Sequence, residues 1–451
     1  MADDTICAPA TPPIYSSIAI IRISGPEALR VANSLFPDAG RLRPRHARYG
    51  TLIDDGKPID DAIVICYPSP RSYTGEDMAE IFCHGNPIIV QNIIMLLLGR
   101  GVRIAEPGEF TRRAFLNGKM DLTEAEAVNH IIMAKSEWEI ETSLRQMHGS
   151  LRDMVQHIRS LIIEFKADIE AGIDFSEEDI EFISTGTALE ATARIREAIG
   201  NILGRCRTGE RLSHGIDITI TGKPNVGKSS VLNLLLNAER AIVSDIPGTT
   251  RDIIREPFQI GGMHVNLVDT AGIDTPGDEI ERIGIDLSHR KIESSPFIIM
   301  VLDGVAGMGE ADGKILEKTR NKKRVIIINK CDIASPEEIQ NIQNRLPEEA
   351  IQFSALTGSG LANLTDAISR LIKEDFIEIE NSFIADVRII SLLERALGIT
   401  TGIGELVSGH EPPEIISFEL QSLIDVLAEI TGEITPDDVL DSIFNRFCIG
   451  K

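Results

Sequence analysis

The stretch that most constrains the fold is Gly222 to Ser229, which reads GKPNVGKS and matches the pattern GxxxxGK[ST]. An apolar β-type run, DITIT, precedes it, and a helical run follows it. A loop of this kind wraps its backbone N–H groups around phosphates at the amino end of a helix. The motif therefore predicts an α/β unit in which a strand leads into a phosphate-binding loop and then into a helix.

Three further motifs follow in order along the chain. DTAG, Asp269 to Gly272, ends an apolar strand, and its aspartate is predicted to hold Mg²⁺ through water. NKCD, Asn329 to Asp332, supplies a carboxylate that can accept from guanine N1–H and the 2-amino group, a pair of donors that adenine lacks. SAL, Ser354 to Leu356, completes the base pocket. Together the motifs predict an enzyme that binds GTP with Mg²⁺ and hydrolyses it.

These motifs assign roles to single residues. Lys228 is expected to reach the β and γ phosphates, and Ser229 to ligate Mg²⁺. GTTRD supplies Thr250 as a switch threonine for Mg²⁺ and the γ-phosphate. The predicted GTP contacts are Asn225, Val226, Gly227, Lys228, Ser229, Ser230, Ser244, Thr249, Thr250, Asp269, Thr270, Ala271, Gly272, Asn329, Lys330, Asp332, Ser354 and Ala355.

One expected residue of the hydrolysis site is missing. Ras-like GTPases carry a glutamine after DTAG that orients the attacking water, whereas this chain has Ile273, which offers no polar atom. The catalytic help must therefore come from another side chain, an ion or a second subunit. The downstream segment PGDEIERIG contains Glu281, although the residues alone favour a solvated helix face for it.

Changes in the predicted secondary structure along the chain indicate several domains. Residues 1–118 mix short β-rich runs with Pro/Gly turns and an apolar helix from Pro87 to Leu98, which indicates an α+β domain. Residues 119–214 and 373–451 are helical, whereas 215–372 alternate strands and helices as in a parallel sheet. We therefore expect a multidomain α+β protein in which a Ras-like P-loop unit is inserted into an all-α domain.

Three helical features are specific enough to test. Thr123 and Glu126 form the pattern of a capping box that opens a helix. Apolar residues recur at spacings of three and four from Leu144 to Ile169, which predicts one long helix. The same spacing from Leu440 to Cys448 predicts a last helix that carries the terminal cysteine.

Composition restricts the partners and the compartment. A formal net charge of -24 argues against a protein that coats nucleic acid with its whole surface. A local exception is GRLRPRHARYG, whose basic residues are more typical of a solvated loop than of an RNA contact; they are Arg41, Arg43, Arg45, His46 and Arg48. None of the six cysteines has CxxC spacing, which disfavours a zinc site and fits a reducing compartment. An acidic amino terminus and short apolar runs favour a cytoplasmic protein with no membrane segment.

The chain also carries ATPP, RISGP, SYTGED, EPGEFTRRAFLNGKMDL, EAEAV and a terminal CIGK. With the GTPase motifs, these segments resemble the MnmE (TrmE) family of tRNA uridine-34 modification GTPases over essentially the whole chain. The resemblance implies a homodimer formed through an N-terminal domain that binds 5-formyl- or 5,10-methylene-tetrahydrofolate. It implies a K⁺-dependent GTPase that works with the FAD-containing protein MnmG (GidA), in a heterotetramer or larger complex. The pair would add an aminomethyl or carboxymethylaminomethyl group to C5 of the wobble uridine of certain tRNAs.

The resemblance also assigns residues. It assigns the water-orienting role to Glu281. The catalytic residues are then Glu281, Lys228 and Thr250. The implied K⁺ ligands are Asn225, Ser244, Ile246 and Thr249. The implied folate-binding residues are Arg22, Glu80, Lys119 and Lys451.

The ending FCIGK leaves three interpretations of Cys448. A lipid anchor is disfavoured, because the CaaX pattern requires an aliphatic residue at Gly450 and does not favour a terminal lysine. A nucleophilic thiol would lie near the folate pocket implied by the resemblance, but no base is placed by the sequence to activate it. A structural or supporting role is therefore the preferred interpretation.

Two departures and one alternative function remain. Residues Ile14 to Ser17 stand where the family usually has a Gly-Arg-Gly-Gly-like loop, which puts the folate or dimer contacts in question. Asn86 stands where glycine is common. The alternative function is a regulatory GTPase of the ribosome-assembly type without one-carbon chemistry. The folate-type residues and the CIGK ending favour the modification enzyme.

Overall fold

The computed structural model describes residues 4–37, 42–174, 184–238, 255–269, 295–375 and 379–451. The chain forms two compact units. The first unit comprises residues 1–132, 144–200 and 391–451, and the second comprises residues 133–143 and 201–390. Within the described ranges, every helix is too short or too polar to cross a bilayer.

The first unit contains a six-stranded sheet in the order β3-β4-β5-β2-β1-β6. Its strands are β1 Ile6–Pro9, β2 Ser16–Ser24, β3 Arg48–Asp54, β4 Lys57–Tyr67, β5 Met78–Gly85 and β6 Arg103–Ile104. Neighbouring strands are antiparallel, except that β1 and β6 are parallel. Two helices, α1 Ala28–Leu35 and α2 Pro87–Gly99, pack on the sheet over an aliphatic core. The low aromatic content therefore does not prevent a closed core.

Helix α2 confirms the prediction for this segment. Pro87 occupies the first helical position, and the Asn86 side chain accepts a hydrogen bond from the Ile88 N–H at 2.9 Å. Asparagine is a favourable N-cap because its side-chain oxygen satisfies an amide that the helix leaves unpaired. The departure from glycine at this position therefore gives the helix a side-chain cap.

The remaining helices of the first unit, and those near its boundaries, follow in chain order. They are α3 Glu109–Leu116, α4 Leu122–Met133, α5 Glu137–Met147, α6 Ser150–Asp174, α7 Thr185–Ser213, α12 Val387–Ser408, α13 Pro413–Thr431 and α14 Asp437–Phe444. Helix α13 packs along α6, and α14 packs against α3. A buried cluster that includes Leu122, Leu440 and Phe444 joins the chain's last helix to α4.

The structure corrects the three helical predictions. Asp121 and Glu124 form the capping box of α4. The backbone N–H of each residue donates to the side-chain carboxylate of the other at 2.9 Å. Thr123 and Glu126 lie inside the helix and are buried, so the predicted pair was wrong by two residues. Aspartate caps a helix at least as well as threonine, so the chain uses Asp121, two residues before the predicted Thr123.

The apolar stripe from Leu144 to Ile169 spans two helices instead of one. Helix α5 ends at Met147 and α6 begins at Ser150, with Gly149 between them at a φ of 88°. This left-handed conformation favours glycine and ends a helix. The last helix ends at Phe444, so Cys448 lies beyond it.

The second unit contains a six-stranded sheet in the order β12-β11-β10-β7-β9-β8. Its strands are β7 Ile216–Thr221, β8 Arg255–Ile260, β9 Met263–Asp269, β10 Phe297–Asp303, β11 Lys323–Asn329 and β12 Ile351–Gln352. Among the described residues between 215 and 375, the helices are α8 Lys228–Ala238, α9 Glu310–Lys318, α10 Pro336–Gln343 and α11 Leu361–Asp375. All strand pairs are parallel except β8 with β9.

The parallel register brings the motif residues to one edge of this sheet. Asp303 pairs with Asn329, and Ile220 pairs with Asp269, each at the carboxyl end of its strand. Ligands of open α/β sheets bind at this edge. The multidomain α+β class and its parallel P-loop unit are therefore confirmed, whereas the domain boundaries at residues 118, 214 and 372 stay predictions.

Candidate GTP site and N-terminal cavity

The phosphate-binding loop lies between β7 and α8. Asn225 has a φ of 63° and Gly227 a φ of 97°, so the loop turns sharply before the helix begins at Lys228. The Lys228 ammonium donates to the Gly222 carbonyl at 3.2 Å and to the Lys223 carbonyl at 2.8 Å. This places a cation beside the loop's backbone amides, where phosphate oxygens can be bound.

Asn329 joins this loop to the base-binding motifs. Its side-chain amide donates to the Val226 carbonyl at 2.8 Å, and its side-chain oxygen accepts from the Ala355 N–H at 3.0 Å. A Cβ on Gly227 would lie 2.3 Å from that amide nitrogen, so only glycine fits there. The structure therefore brings GKPNVGKS, NKCD and SAL together, as the sequence predicts.

The Asp332 carboxylate, which the sequence assigns to guanine, is held in place and remains accessible. The Ser354 hydroxyl donates to one oxygen of Asp332 at 2.7 Å, while Asp332 itself is exposed. Lys330 extends over the loop and donates to the Asn225 carbonyl at 3.0 Å. These residues form the rim of a site that can accept two donors from a purine edge.

Asp303 belongs to this site and was missed by the sequence analysis. Its carboxylate accepts from the Lys330 ammonium at 2.5 Å and from the backbone N–H groups of Val305 and Ala306. Burial would raise the pKa of Asp303, but these hydrogen bonds hold the pKa below its ordinary value. The signal in the sequence was the LDG ending of β10, one strand away from NKCD.

The magnesium and hydrolysis residues are described only in part. Ser229 lies exposed in the first turn of α8, and Asp269 ends β9 next to the strand that leads into the loop. A serine hydroxyl and a carboxylate are ligand types that suit Mg²⁺. The predicted site residues that lie outside the described ranges are Ser244, Ile246, Thr249, Thr250, Thr270, Ala271, Gly272 and Glu281.

A second site lies in the first unit, on the N-terminal sheet. Arg22 of β2 and Glu80 of β5 are paired in register, and the Arg22 Nε donates to the Glu80 carboxylate at 2.9 Å. The Tyr67 hydroxyl donates to the other Glu80 oxygen at 3.3 Å. These groups border a cavity of about 330 Å³, whose lining residues are Arg45, Tyr67, Arg71, Ser72, Tyr73, Met78 and Glu80.

The tyrosines of this cavity were not predicted. Burial and the Glu80 charge raise the pKa of Tyr67, so its phenol stays protonated and keeps donating at neutral pH. The guanidinium of Arg22 lies 5.5 Å from the ring centroid of Tyr73, within cation–π range. The cavity therefore offers a carboxylate acceptor together with aromatic surface.

The end of the chain is bound at this site. Arg22 donates to the Gly450 carbonyl at 3.2 Å, and the Phe110 N–H at the start of α3 donates to the Lys451 carbonyl oxygen at 3.2 Å. Gly450 has a φ of 94°, and a Cβ there would lie 2.2 Å from the Pro9 carbonyl. Burial and the charge of Arg22 lower the pKa of Lys451. The structure therefore brings Arg22, Glu80 and Lys451 together, and their folate role stays a prediction.

The other predicted residues of this region are placed as follows. Lys119 is exposed and donates to the Pro70 carbonyl at 3.2 Å, beside the cavity-lining Arg71. Cys448 is exposed and lies beyond the last helix. In the departing segment, Ile14 and Tyr15 are 64% and 79% exposed, which leaves an apolar surface uncovered in the single chain.

The strand–loop–helix unit, with a guanine-type carboxylate beside it, defines a P-loop GTPase. Two family models match the chain, the MnmE helical domain over residues 122–448 and the GTP-binding protein TrmE N-terminus over residues 5–119. The chain belongs to the MnmE (TrmE) family of tRNA modification GTPases. It is accordingly a GTP hydrolase that acts in tRNA modification.

Two curated relatives are similar over their full length, and a solved GTPase structure is similar over part of the chain. The tRNA modification GTPase MnmE of Thermotoga sp. (strain RQ2) is 42% identical over 99% of this chain and 100% of its own. The MnmE of Aquifex aeolicus (strain VF5) is 40% identical over 99% of this chain and 100% of its own. A structure of Era with MgGDPNP and 16S ribosomal RNA nucleotides is 30% identical over 34% of this chain and 56% of that one, with a TM-score of 0.29.

Proposed function

We propose that the protein is a K⁺-dependent GTPase that works with the FAD-containing protein MnmG. The pair adds an aminomethyl or carboxymethylaminomethyl group to C5 of the wobble uridine of certain tRNAs, with a folate one-carbon unit. The observation that carries this proposal is the set of contacts around Glu80, which lines the N-terminal cavity. Arg22 binds both Glu80 and the Gly450 carbonyl, and Lys451 interacts with the charges of Arg22 and Glu80. A GTPase switch without one-carbon chemistry has no use for such a site.

The GTP site supports hydrolysis through charge placed around the phosphates. Lys228 and the loop amides bind and orient the phosphate chain, and Ser229 offers its hydroxyl to Mg²⁺. Asp269 is proposed to hold the metal through water. When bound, Mg²⁺ neutralises charge that develops on the phosphate oxygens. Thr250 is proposed to complete the metal's ligands, and Glu281 to orient the attacking water.

Potassium is proposed to supply the positive charge that an arginine provides in related reactions. Its ligands are assigned to Asn225, Ser244, Ile246 and Thr249. Among these, Asn225 lies exposed at the turn of the phosphate-binding loop, with its carbonyl already bound to Lys330. The carbonyl is therefore engaged, and the side-chain amide is the group assigned to the cation.

GTP turnover in K⁺ and in Na⁺ at equal ionic strength tests this role. We expect faster turnover in K⁺, and loss of that difference in Asn225→Ala. Glu281→Ala should lose turnover in both salts. Equal rates of the unaltered protein in the two salts would contradict the K⁺ assignment and leave the GTP assignment intact.

The cavity fits a reduced folate by chemistry and size. Its volume of about 330 Å³ is in the range of small-molecule sites. A pterin ring presents N–H donors, and Glu80 is a carboxylate already oriented by Arg22 and Tyr67 to accept them. When bound, the folate supplies the one-carbon unit. Lys119 and Lys451 are assigned to the same ligand, and Cys448 is assigned a supporting role.

Three partners complete the proposal. The exposed apolar residues Ile14, Tyr15 and Ile18 support a homodimer formed through the N-terminal domain. The net charge of -24 supports a division of labour in which MnmG supplies much of the tRNA contact. The proposed compartment is the cytoplasm, where tRNA and the partner are present.

Nucleoside analysis of tRNA from a strain that lacks this protein tests the function. We expect wobble uridines without the aminomethyl-type group, and recovery when the gene is returned. Unchanged wobble uridines would favour the ribosome-assembly alternative.

A further inference from the structure

The cavity beside Glu80 is lined by groups of opposite charge. One is the carboxylate of Glu80, which Arg22 and Tyr67 orient. The others are Arg45 and Arg71, two exposed arginines. A ligand that suits this lining presents hydrogen-bond donors to the carboxylate and negative charge to the guanidinium groups.

The two arginines are held in place by the backbone around them. Arg45 has a φ of 59°, and its N–H donates to the Cys66 carbonyl at 2.8 Å, so the basic loop is fixed to the end of β4. Its guanidinium donates to the Arg71 carbonyl at 2.7 Å. Lys119 donates to the adjacent Pro70 carbonyl at 3.2 Å. The Arg45 guanidinium and the Lys119 ammonium thus both bind the backbone of residues 70–71, next to the side chain of Arg71.

The acidic groups beside these cations already have partners. Asp77 accepts from the Ser69 N–H at 2.8 Å, and Glu80 accepts from Arg22 and Tyr67. Arg22 is not available to an anionic ligand tail, because it is bound to Glu80 and to the Gly450 carbonyl and its side chain is only 17% exposed. The positive charge of the cavity lining therefore comes from Arg45 and Arg71, and Lys119 adds a third cation next to Arg71 through its bond to the Pro70 carbonyl.

We propose that Arg45, Arg71 and Lys119 form a cationic rim that binds the γ-linked oligoglutamate tail of a reduced folate, while Glu80 binds the pterin end. This inference rests on the proposed folate site and specifies its substrate class. Each added γ-glutamyl unit carries one more α-carboxylate, and guanidinium groups bind carboxylates through paired N–H donors. The rim selects oligoglutamylated folates over the monoglutamate.

The same basic loop contains two arginines that serve as matched controls. Arg43 and Arg48 are exposed, as Arg45 is, but neither lines the cavity. A loop that bound RNA by charge alone would use all of them alike. A rim that binds the tail of a ligand in the cavity requires Arg45 and spares the other two.

Isothermal titration with 5-formyl-tetrahydrofolate carrying one or three glutamates tests the rim in the full-length protein. We expect the triglutamate to bind about tenfold more tightly than the monoglutamate. The difference should shrink as salt is raised, because exposed ion pairs are screened. Arg45→Gln with Arg71→Gln should bring the ratio of the two dissociation constants close to one. Arg43→Gln with Arg48→Gln should keep the ratio of the unaltered protein.

Each other outcome has a defined meaning. Equal binding of the two folates by the unaltered protein would overturn the rim and leave the folate site intact. If the Arg45→Gln with Arg71→Gln variant still binds the triglutamate more tightly than the monoglutamate, to the same degree as the unaltered protein, the cationic rim is also overturned. Binding of neither folate would overturn the folate site itself, and the rim with it. If both arginine pairs weaken binding of tRNA and the folate ratio is one, the loop is an RNA contact.

Discussion

At the scale of single residues, the structure brings together the motifs that the sequence assigns to the base. NKCD and SAL predict a site because their roles depend on local geometry at a strand end, and the structure joins them through Asn329, Asp332 and Ser354. Asp303 escaped because its role depends on a neighbouring strand, which one sequence does not display. Tyr67 escaped for the same reason, since its partner Glu80 lies on β5.

Asp332→Asn should change the base that the protein binds. The asparagine amide replaces one acceptor with a donor, so guanine's N1–H and 2-amino group lose a partner and meet a like group. We expect GTP affinity to fall about a hundredfold. Xanthosine triphosphate, which carries an acceptor at position 2, should then bind better than GTP. Titration with both nucleotides measures this, and undiminished GTP binding would remove Asp332 from the base site.

Replacement of Arg113 is expected to lower the stability of the protein strongly. It is 4% exposed and donates to Asp4, Glu76 and Glu109. Arg113→Met leaves these carboxylates without their buried cation, so the free energy of unfolding should fall by about 3–5 kcal/mol. Arg112→Met, which breaks a more exposed pair with Asp441, should cost about 1 kcal/mol or less. Urea unfolding compares the two, and equal midpoints would contradict a structural role for this cluster.

The same cluster sets a pH dependence. A hydrogen bond from Arg103 lowers the pKa of Asp4, and bonds from Arg103 and Arg113 outweigh burial to lower the pKa of Glu109. A carboxylate with a lowered pKa in the folded state stabilises it above the unfolded pKa, and this stability is lost as pH falls through the folded value. The stability of the unaltered protein should therefore decrease below the ordinary carboxyl values of 3.8 and 4.5. In Arg113→Met this decrease should be smaller.

At the scale of elements, periodicity located helices well and their ends poorly. The apolar helix from Pro87 was predicted with its start, because proline and asparagine mark that position. The stripe from Leu144 to Ile169 was read as one helix, because the spacing continues across Gly149 while the backbone does not. The spacing of apolar residues shows which side of a helix is buried. The break between α5 and α6 depends instead on the φ angle of one residue, Gly149.

Helix α7 offers a test at this scale with a control in the same helix. A Cβ on Gly209 would lie 1.9 Å from the Phe383 carbonyl, so Gly209→Ala should destabilise the protein by about 1–3 kcal/mol. Gly204 has no atom within 4 Å of such a Cβ, so Gly204→Ala should stabilise the helix by about 0.5–1 kcal/mol. Thermal melting measures both, and a neutral or stabilising Gly209→Ala would show that the approach at Gly209 is not tight.

At the scale of the whole molecule, the N-terminal site is completed by residues from the far end of the chain. Arg22 and Gly450 are separated by 428 positions and share a hydrogen bond. Neither spacing nor periodicity predicts such a contact; the resemblance to the family did. The position of Gly450 and Lys451 near Arg22 and Glu80 was therefore expected, whereas the aromatic lining of the cavity came from the fold.

Removal of Cys448 to Lys451 tests this long-range contact. The truncated chain loses the Gly450 carbonyl that Arg22 binds and the Lys451 ammonium near Glu80, so folate affinity should fall at least about tenfold. GTP affinity should stay within about twofold, because none of these residues belongs to the GTP site. Cys448→Ser, which keeps both contacts, should bind folate as the unaltered protein does. Full folate affinity in the truncated protein would remove the C-terminus from the site.

The central claim is that one chain needs both its GTP site and its N-terminal cavity to modify tRNA. The most direct measurement is nucleoside analysis of tRNA from a strain in which this protein is replaced by Glu80→Gln, by Asp332→Asn or by the unaltered chain, at equal protein levels. We expect the unaltered chain to restore the aminomethyl-type wobble uridine and neither variant to do so. Full modification by Glu80→Gln would contradict the one-carbon site, and full modification by Asp332→Asn would contradict the requirement for GTP.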